Sequence, residues 1–321
     1  MTRDTLEHHQ IPVYFAAVLL AACFGLLAPV AAQGLGMLVM PAIAVLMYAM
    51  FLQIPFLDLR QGLINKRFFW ALLLANFVLV PLLVWALTRG LVERPGLLVG
   101  ALLVLLTPCI DYVVVFTHIG KGDSRSMLAA TPLLLLLQLV LLPVYLSFLL
   151  GAQFEGVVAV GPFVEAFLGV IVAPMILAVL TTALARCSKI VGAWNNAWAW
   201  LPVPAMALVL FVVIGGQISA VVRDIGLLLP VVPVYLGFLL LAPLMGAFAS
   251  KLFALPAMTA RAVTFSASTR NSLVVLPLAL ALPEEVRGIA ATAVILQTLV
   301  ELVGELIYIR LVPRWVWPAN R

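Results

Sequence analysis

The sequence predicts an all-α integral membrane protein: ten transmembrane helices in two inverted five-helix repeats, with crossing discontinuous helices four and nine. Three observations carry this. Of 321 residues, 65% are hydrophobic and 10% charged, whereas a soluble domain has roughly 25% charged. The mean hydropathy is +1.22, and apolar stretches of about 20 residues, enough to cross a bilayer, recur along the whole length. The two halves also share short matches in a common order. The stretches lack the apolar/polar alternation over roughly 10 positions that marks barrel strands, which excludes a barrel.

Apolar length, with breaks at charged or Gly/Pro clusters, sets the spans in order. The first five run approximately Ile11 to Gln33, Leu35 to Leu57, Phe68 to Thr88, Gly96 to Ile119 and Ser126 to Leu150. The second five run Gly161 to Ala185, Ala197 to Ala220, Ile225 to Ala249, Ala262 to Leu282 and Gly288 to Ile309. The N-terminal MTRDTLEHHQ mixes acid, base and histidine. It is unlike the cationic start of a cleaved signal, so the first span is expected to be retained. The expected organisation is a cytoplasmic N-terminus over 1–10, a first repeat over 11–150 and an extracytoplasmic linker over 151–160. A second repeat follows over 161–309, then a cytoplasmic C-terminus over 310–321.

Lys and Arg are unevenly shared between the two sides. The side with both termini carries Arg3, Arg60, Lys66, Arg67, Lys121, Arg125, Arg186, Lys189, Lys251, Arg261, Arg310, Arg314 and Arg321. The other carries Arg89, Arg94, Arg223 and Arg287. This bias places both termini in the cytoplasm of a plasma (inner) membrane. The net charge of +5 follows from it and from attraction to anionic lipid, so the expected partner is the bilayer and no nucleic acid. Cys23, Cys109 and Cys187 follow no metal-ligand or disulfide spacing, and His8, His9 and His118 lie in flanking segments, so no metal site or cofactor is expected.

The internal matches bear on topology. TPCIDYVVVFTHIGKGD from Thr107 aligns with STRNSLVVLPLALALPE from Ser268, pairing Val113 with Val274 and Val114 with Val275. At the same spacing Leu128 to Thr131 (LAAT) meets Ile289 to Thr292 (IAAT). One residue further, Pro81 meets Pro243 and Leu82 meets Leu244; two beyond that, Gln53 meets Gln217. An odd number of spans per repeat makes the second copy enter from the opposite face. Such inverted repeats are the plan of many secondary transporters, whose sites lie at the midplane where broken helices meet.

Spans four and nine are the equivalent pair, and each is interrupted at its middle. The first break holds Thr107, Pro108, Cys109 and Asp111; the second holds Ser266, Ser268, Thr269, Arg270, Asn271 and Ser272. Pro108 frees backbone carbonyls that must be satisfied inside protein or by water, which makes ligand sites; a kink that serves packing alone is the plainer reading. Asp111 and Arg270 would each cost roughly 2.5 to 3.5 kcal/mol at a helix centre in lipid, so neither should face it. They are expected near each other, either as a structural ion pair or in the site. In span ten Gln297, Glu301 and Glu305 share one helix face. Two acids on one intramembrane face are candidates for taking and releasing protons, with a structural hydrogen-bonded glutamate as the alternative. Cys109 is either a small buried hydrophobe or, beside a break and Arg270, a soft ligand for a thiophilic solute.

This pattern resembles the bile acid:sodium symporter superfamily, and within it the arsenite efflux permeases of the arsenical resistance type. The most specific residues are TPC at Thr107 to Cys109 and LVE ending at Glu301. The resemblance implies a ten-span fold with five-helix inverted repeats, Cys109 as metalloid ligand and Glu301 as proton carrier. Where the bile acid branch carries an acid and a glutamine before an asparagine in span nine, this chain has Ser266 and Arg270 before Asn271. A fixed cation where sodium would sit disfavours sodium coupling.

The leading expectation is a secondary antiporter that expels arsenite, and antimonite with it, in exchange for protons. Substrate binding is assigned to Thr107, Pro108, Cys109, Arg270 and Asn271, and proton coupling to Glu301, Glu305 and Asp111. The alternative is a proton- or sodium-coupled symporter of an organic anion held by Arg270. An intramembrane enzyme using Asp111 with Glu301 is the weakest reading, because the sequence carries no phosphate loop, zinc motif or paired catalytic aspartates; no catalytic residue is assigned.

Overall fold

The computed structural model describes residues 10–54, 65–110, 112–151, 165, 167–223 and 225–318, and among them the chain is helical with no strand. In chain order the main helices are α1 (Gln10–Leu27), α2 (Gly36–Phe51), α3 (Lys66–Leu74), α4 (Val80–Thr88), α5 (Pro95–Leu105), α6 (Val113–Ile119) and α7 (Ser124–Leu150). There follow α8 (Ala173–Ala185), α9 (Lys189–Trp198), α10 (Pro202–Arg223), α11 (Val232–Leu252), α12 (Ala257–Ser268), α13 (Ser272–Leu280) and α14 (Glu284–Leu311). Their starts follow local chemistry. Asn65 caps α3 by accepting Phe68 N at 3.1 Å, and Asp123 caps α7 by accepting Ser126 N at 3.0 Å. Pro95 and Pro202 each open a helix where no intrahelical donor is needed.

Each expected span contains helix, and five helical stretches are long and apolar enough to cross a bilayer: Lys66–Leu91, Ser124–Leu150, Pro202–Arg223, Ile225–Leu252 and Glu284–Val316. Some boundaries differ from the sequence reading. The first helix stops at Leu27, because Pro29 pushes Ala28 out of helical geometry (φ −131°) and a short helix Pro29–Gln33 follows. The seventh span begins at Pro202 rather than Ala197; the stretch before it is a separate helix, α9, capped by Ser188 and burying none of its residues. Its Lys189, Asn195 and Asn196 beside Trp194 and Trp198 suit an interface better than a membrane crossing. The tenth span reaches further in both directions, from Glu284 to Leu311.

The chain forms two compact units: Met1–Leu57 with Val160–Leu227, and Asp58–Ala159 with Leu228–Arg321. Each draws segments from both halves of the sequence. In the first unit α1 lies along α10, so close that no Cβ fits at Gly25 against the Gly215 carbonyl, and Ser219 Oγ donates to Gly25 O at 2.5 Å. Small residues at contacts between apolar helices permit this approach, where van der Waals packing supplies most of the attraction. Tyr48 on α2 shares a 2.9 Å hydrogen bond with Thr181 on α8, and Trp194 of α9 donates to the same hydroxyl at 3.2 Å.

The second unit is packed by the same device. Gly100 of α5 lies on the Ala290 backbone of α14, and Gly246 of α11 on the Thr264 backbone of α12. Tyr235 donates to Ala293 O at 2.9 Å and Tyr145 to Phe77 O at 2.6 Å. Arg261, buried at the start of α12, donates to Trp317 O at 2.9 and 2.6 Å and to Lys121 O at 2.8 Å, which ties down the end of the chain beyond α14.

Candidate functional site at the helix breaks

Both interruptions expected from sequence lie inside the second unit and meet. The fourth span stops at Leu105 and resumes at Val113; the ninth stops at Ser268 and resumes at Ser272. The two connecting segments cross as one antiparallel bridge between Pro108 and Arg270. Cys109 N donates to Thr269 O at 3.1 Å and Asn271 N to Thr107 O at 2.8 Å. Groups freed by each break are thus satisfied by the other, which is how non-helical backbone survives at membrane depth.

Arg270 is fully buried, and its side chain turns back onto helix ends. Nη2 donates to Ser266 O at 2.6 Å, Ala267 O at 2.8 Å and Asn76 Oδ1 at 2.8 Å, while Nη1 reaches Leu105 O at 3.4 Å. Leu105, Ser266 and Ala267 close the C-terminal turns of α5 and α12, where unpaired carbonyls carry partial negative charge. The Phe238 ring lies beneath, its centroid 5.5 Å from the guanidinium carbon. The expected pairing of Arg270 with Asp111 falls outside the described residues, since Asp111 is not among them.

Glu301 faces the same crossing from α14. Both carboxylate oxygens accept Arg270 N at 3.0 Å. Tyr112 OH lies 2.8 Å from Glu301 Oε1 and 2.9 Å from Arg270 O, and Gln297 Nε2 donates to Oε2. Every one of these nitrogens is a donor, an arrangement that suits an ionised, acceptor-only carboxylate. Glu305, one turn on, accepts Thr269 Oγ1 at 2.7 Å, while its buried Oε2 has no partner among the described residues.

The other expected site residues divide by role. Cys109 and Thr107 are buried in the first break. Thr107 Oγ1 donates to Leu103 O at 2.8 Å and so serves its own helix, as Asn271 does by capping α13 through Val274 N at 3.2 Å. Pro108 contributes the bridge itself. A cavity of about 10 Å³ lies beside Glu301, Gln297 and Ser268, roughly the room of one water molecule.

Two residues of this centre escape the sequence reading. Asn76 sits in the π-helical turn Ala75–Leu79 between α3 and α4, where it orients Arg270 and donates to Ser266 Oγ at 3.0 Å. A lone amide in the middle of an apolar span was the available signal. Tyr112 adjoins the break, where an aromatic residue in an apolar span carries no distinct sequence signal.

Fold and site together define a polytopic helical membrane protein organised around two interrupted helices that cross. Residues 40–224, more than half of the chain, match the sequence model of the Sodium Bile acid symporter family, and the chain belongs to that family. It is accordingly an integral membrane transporter of the bile acid:sodium symporter type. The matched region contains Thr107, Pro108, Cys109 and Tyr112, while Arg270, Glu301 and Glu305 lie beyond it. No curated protein matches the chain in sequence.

Proposed function

We propose that this transporter expels arsenite, and antimonite by the same chemistry, in exchange for protons across the plasma membrane, with both termini in the cytoplasm. One peptide group carries the reading. The Thr269 carbonyl accepts the Cys109 N–H, and the Arg270 N–H of the same peptide bond donates to Glu301. The thiol-bearing break and the buried carboxylate therefore share a rigid planar unit, and a change at one is felt at the other.

The chemistry follows from ligand type. Neutral As(OH)3 exchanges one hydroxyl for the Cys109 thiol: an As–S bond forms, an As–O bond breaks, and the thiol proton leaves with the hydroxide as water. Soft sulfur favours this metalloid over hard oxygen ligands, and a single sulfur holds it loosely enough to release. When Glu301 takes a proton it stops being acceptor-only. Its new O–H then faces the Arg270 N–H, Tyr112 and Gln297 donors, which loosens the second break and favours the alternate conformation.

Arg270 supports protons over sodium as the coupling ion. Its guanidinium occupies the carbonyl cradle formed by Leu105, Ser266 and Ala267, a set of oxygens that would otherwise suit a hard monovalent cation. The bridge also supports inverted repeats. An antiparallel crossing of two segments related by a two-fold axis pairs equivalent residues at its centre, and Pro108 and Arg270 differ by the same spacing as Pro81 and Pro243.

Arsenite accumulation in everted membrane vesicles tests the reading. An imposed proton gradient should drive uptake without sodium, and Cys109→Ala or Glu301→Gln should each lower the rate at least tenfold. Unchanged rates in both variants defeat the mechanism.

The family description, which names sodium and bile acid, favours a second reading: sodium-coupled symport of an organic anion. Among the described residues the buried Nε atom of Arg270 has no hydrogen-bond partner, which suits it to a carboxylate. Sodium-driven uptake of labelled bile acids or other carboxylates into proteoliposomes, with no response to arsenite, would establish it in place of the first.

A further inference from the structure

The end of α14 carries a groove lined by none of the residues of the helix breaks. About 440 Å³ in volume, it is lined by Val303, Leu306, Ile307, Arg310, Arg314 and Trp315, within the roughly 300 to 1,000 Å³ of small-molecule sites. Its residues are graded along the helix. Val303, Leu306 and Ile307 are exposed apolar side chains on one face. Less than one turn beyond Ile307 comes Arg310, with Arg314 a single turn further and then Trp315, 82% exposed. Among the described residues neither guanidinium has a hydrogen-bond or ion-pair partner.

This order of chemistry matches a phospholipid entering head last. Val303 lies about 10 Å from Arg310 along the axis, so an acyl chain can lie on the apolar face while the phosphate meets both guanidinium forks. Arg rather than Lys suits such bidentate contact, and an exposed indole belongs at the headgroup level. The groove stands on a held element: Trp317 N donates to Val312 O at 2.8 Å, its indole donates to Thr264 Oγ1 at 3.1 Å, and Arg261 clamps its carbonyl. The cationic pair is therefore presented by packed structure rather than by a loose tail.

We infer that Arg310, Arg314 and Trp315 form a binding site for the headgroup of an anionic phospholipid. Two arginines against phosphatidylglycerol, whose net charge is that of its phosphate, leave a surplus of one, whereas the choline cation of zwitterionic phosphatidylcholine leaves both positive charges uncompensated. The site is independent of Cys109 and Glu301, and its fate is separable from theirs.

The test uses the full-length protein in detergent, with thermal unfolding and native mass spectrometry read while phosphatidylglycerol, phosphatidylcholine or inorganic phosphate is added. Phosphatidylglycerol should raise the unfolding midpoint by several degrees more than phosphatidylcholine, and its adducts should survive gas-phase activation. The double variant R310Q/R314Q should lose that difference and reduce adduct occupancy about tenfold; R310K/R314K should retain part of both, showing that the loss is not misfolding. Equal effects of the two lipids, an unaffected double glutamine variant, or the same stabilisation from inorganic phosphate alone would each overturn the assignment. Arsenite transport by the variants is measured alongside, so failure of the lipid site and failure of the arsenite reading remain distinguishable.

Discussion

Cys109 and Glu301 are joined through the Thr269–Arg270 peptide group: Cys109 N donates to its carbonyl at 3.1 Å, and its N–H lies 3.0 Å from each Glu301 oxygen. Neither residue is near the other in sequence, and neither belongs to the non-helical segment that links them. Backbone mediation has a practical consequence, since side-chain substitution at position 109 leaves the relay standing.

Cys109→Ser should therefore fold like the parent, because the backbone N–H and nearly all of the side-chain volume are kept. Its unfolding midpoint should stay within a few degrees while arsenite protection of sensitive cells is lost, oxygen being a poor substitute for sulfur toward this metalloid. Protection equal to that of the parent would remove Cys109 from the mechanism.

Tyr112→Phe removes the hydroxyl 2.8 Å from Glu301 and 2.9 Å from Arg270 O. A hydrogen bond to a charged group contributes about 1.5 to 3 kcal/mol, so a loss of that size is expected in denaturant unfolding. Proton-driven transport should be altered as well, since one of the donors that holds Glu301 in its acceptor role is gone.

Asn76→Leu should be among the most damaging substitutions in the third span. It withdraws one of the three acceptors of Arg270 Nη2 and the donor for Ser266 Oγ, and a hydrogen bond to a charged group contributes about 1.5 to 3 kcal/mol. Asn76→Asp, measured by yield and unfolding midpoint, should recover part of the loss because it restores an acceptor for the guanidinium.

Two glycines, one on the contact between α5 and α14 and one exposed on α14, separate packing from propensity. A Cβ at Gly100 would stand 2.6 Å from Ala290 O, so Gly100→Val should prevent close packing and cost several kcal/mol. Gly288, exposed on α14 with nothing near its would-be Cβ, should accept alanine with a gain of up to about 1 kcal/mol. Comparing the two variants by thermal unfolding checks the contact without touching the site.

Much of this centre was legible before any coordinates. Pro108 and the polar run from Ser266 to Ser272 announce the two breaks, because both are expensive in an apolar helix. Gln297, Glu301 and Glu305 fall on one face by helical period alone. The hydrogen bonds of Arg270 to carbonyls at two helix ends and to Asn76 were not legible, because they depend on which helix ends and which amide come to lie around it. Nor did hydropathy place the start of the seventh span, to which it assigned Ala197 and Trp198, the last residues of α9.

By itself the sequence determined that this chain lives in a bilayer, where its helices run and where two of them break, because these properties follow from composition, period and proline over a few turns. Only the tertiary structure decided that segments of both halves combine into each compact unit, that the breaks satisfy one another, and that Asn76 and Tyr112 complete the centre. Those outcomes depend on which helices become neighbours. In an apolar chain every helix offers much the same surface, and the choice is made by close contacts at Gly25, Gly100 and Gly246 and by polar groups that find partners across hundreds of residues of chain.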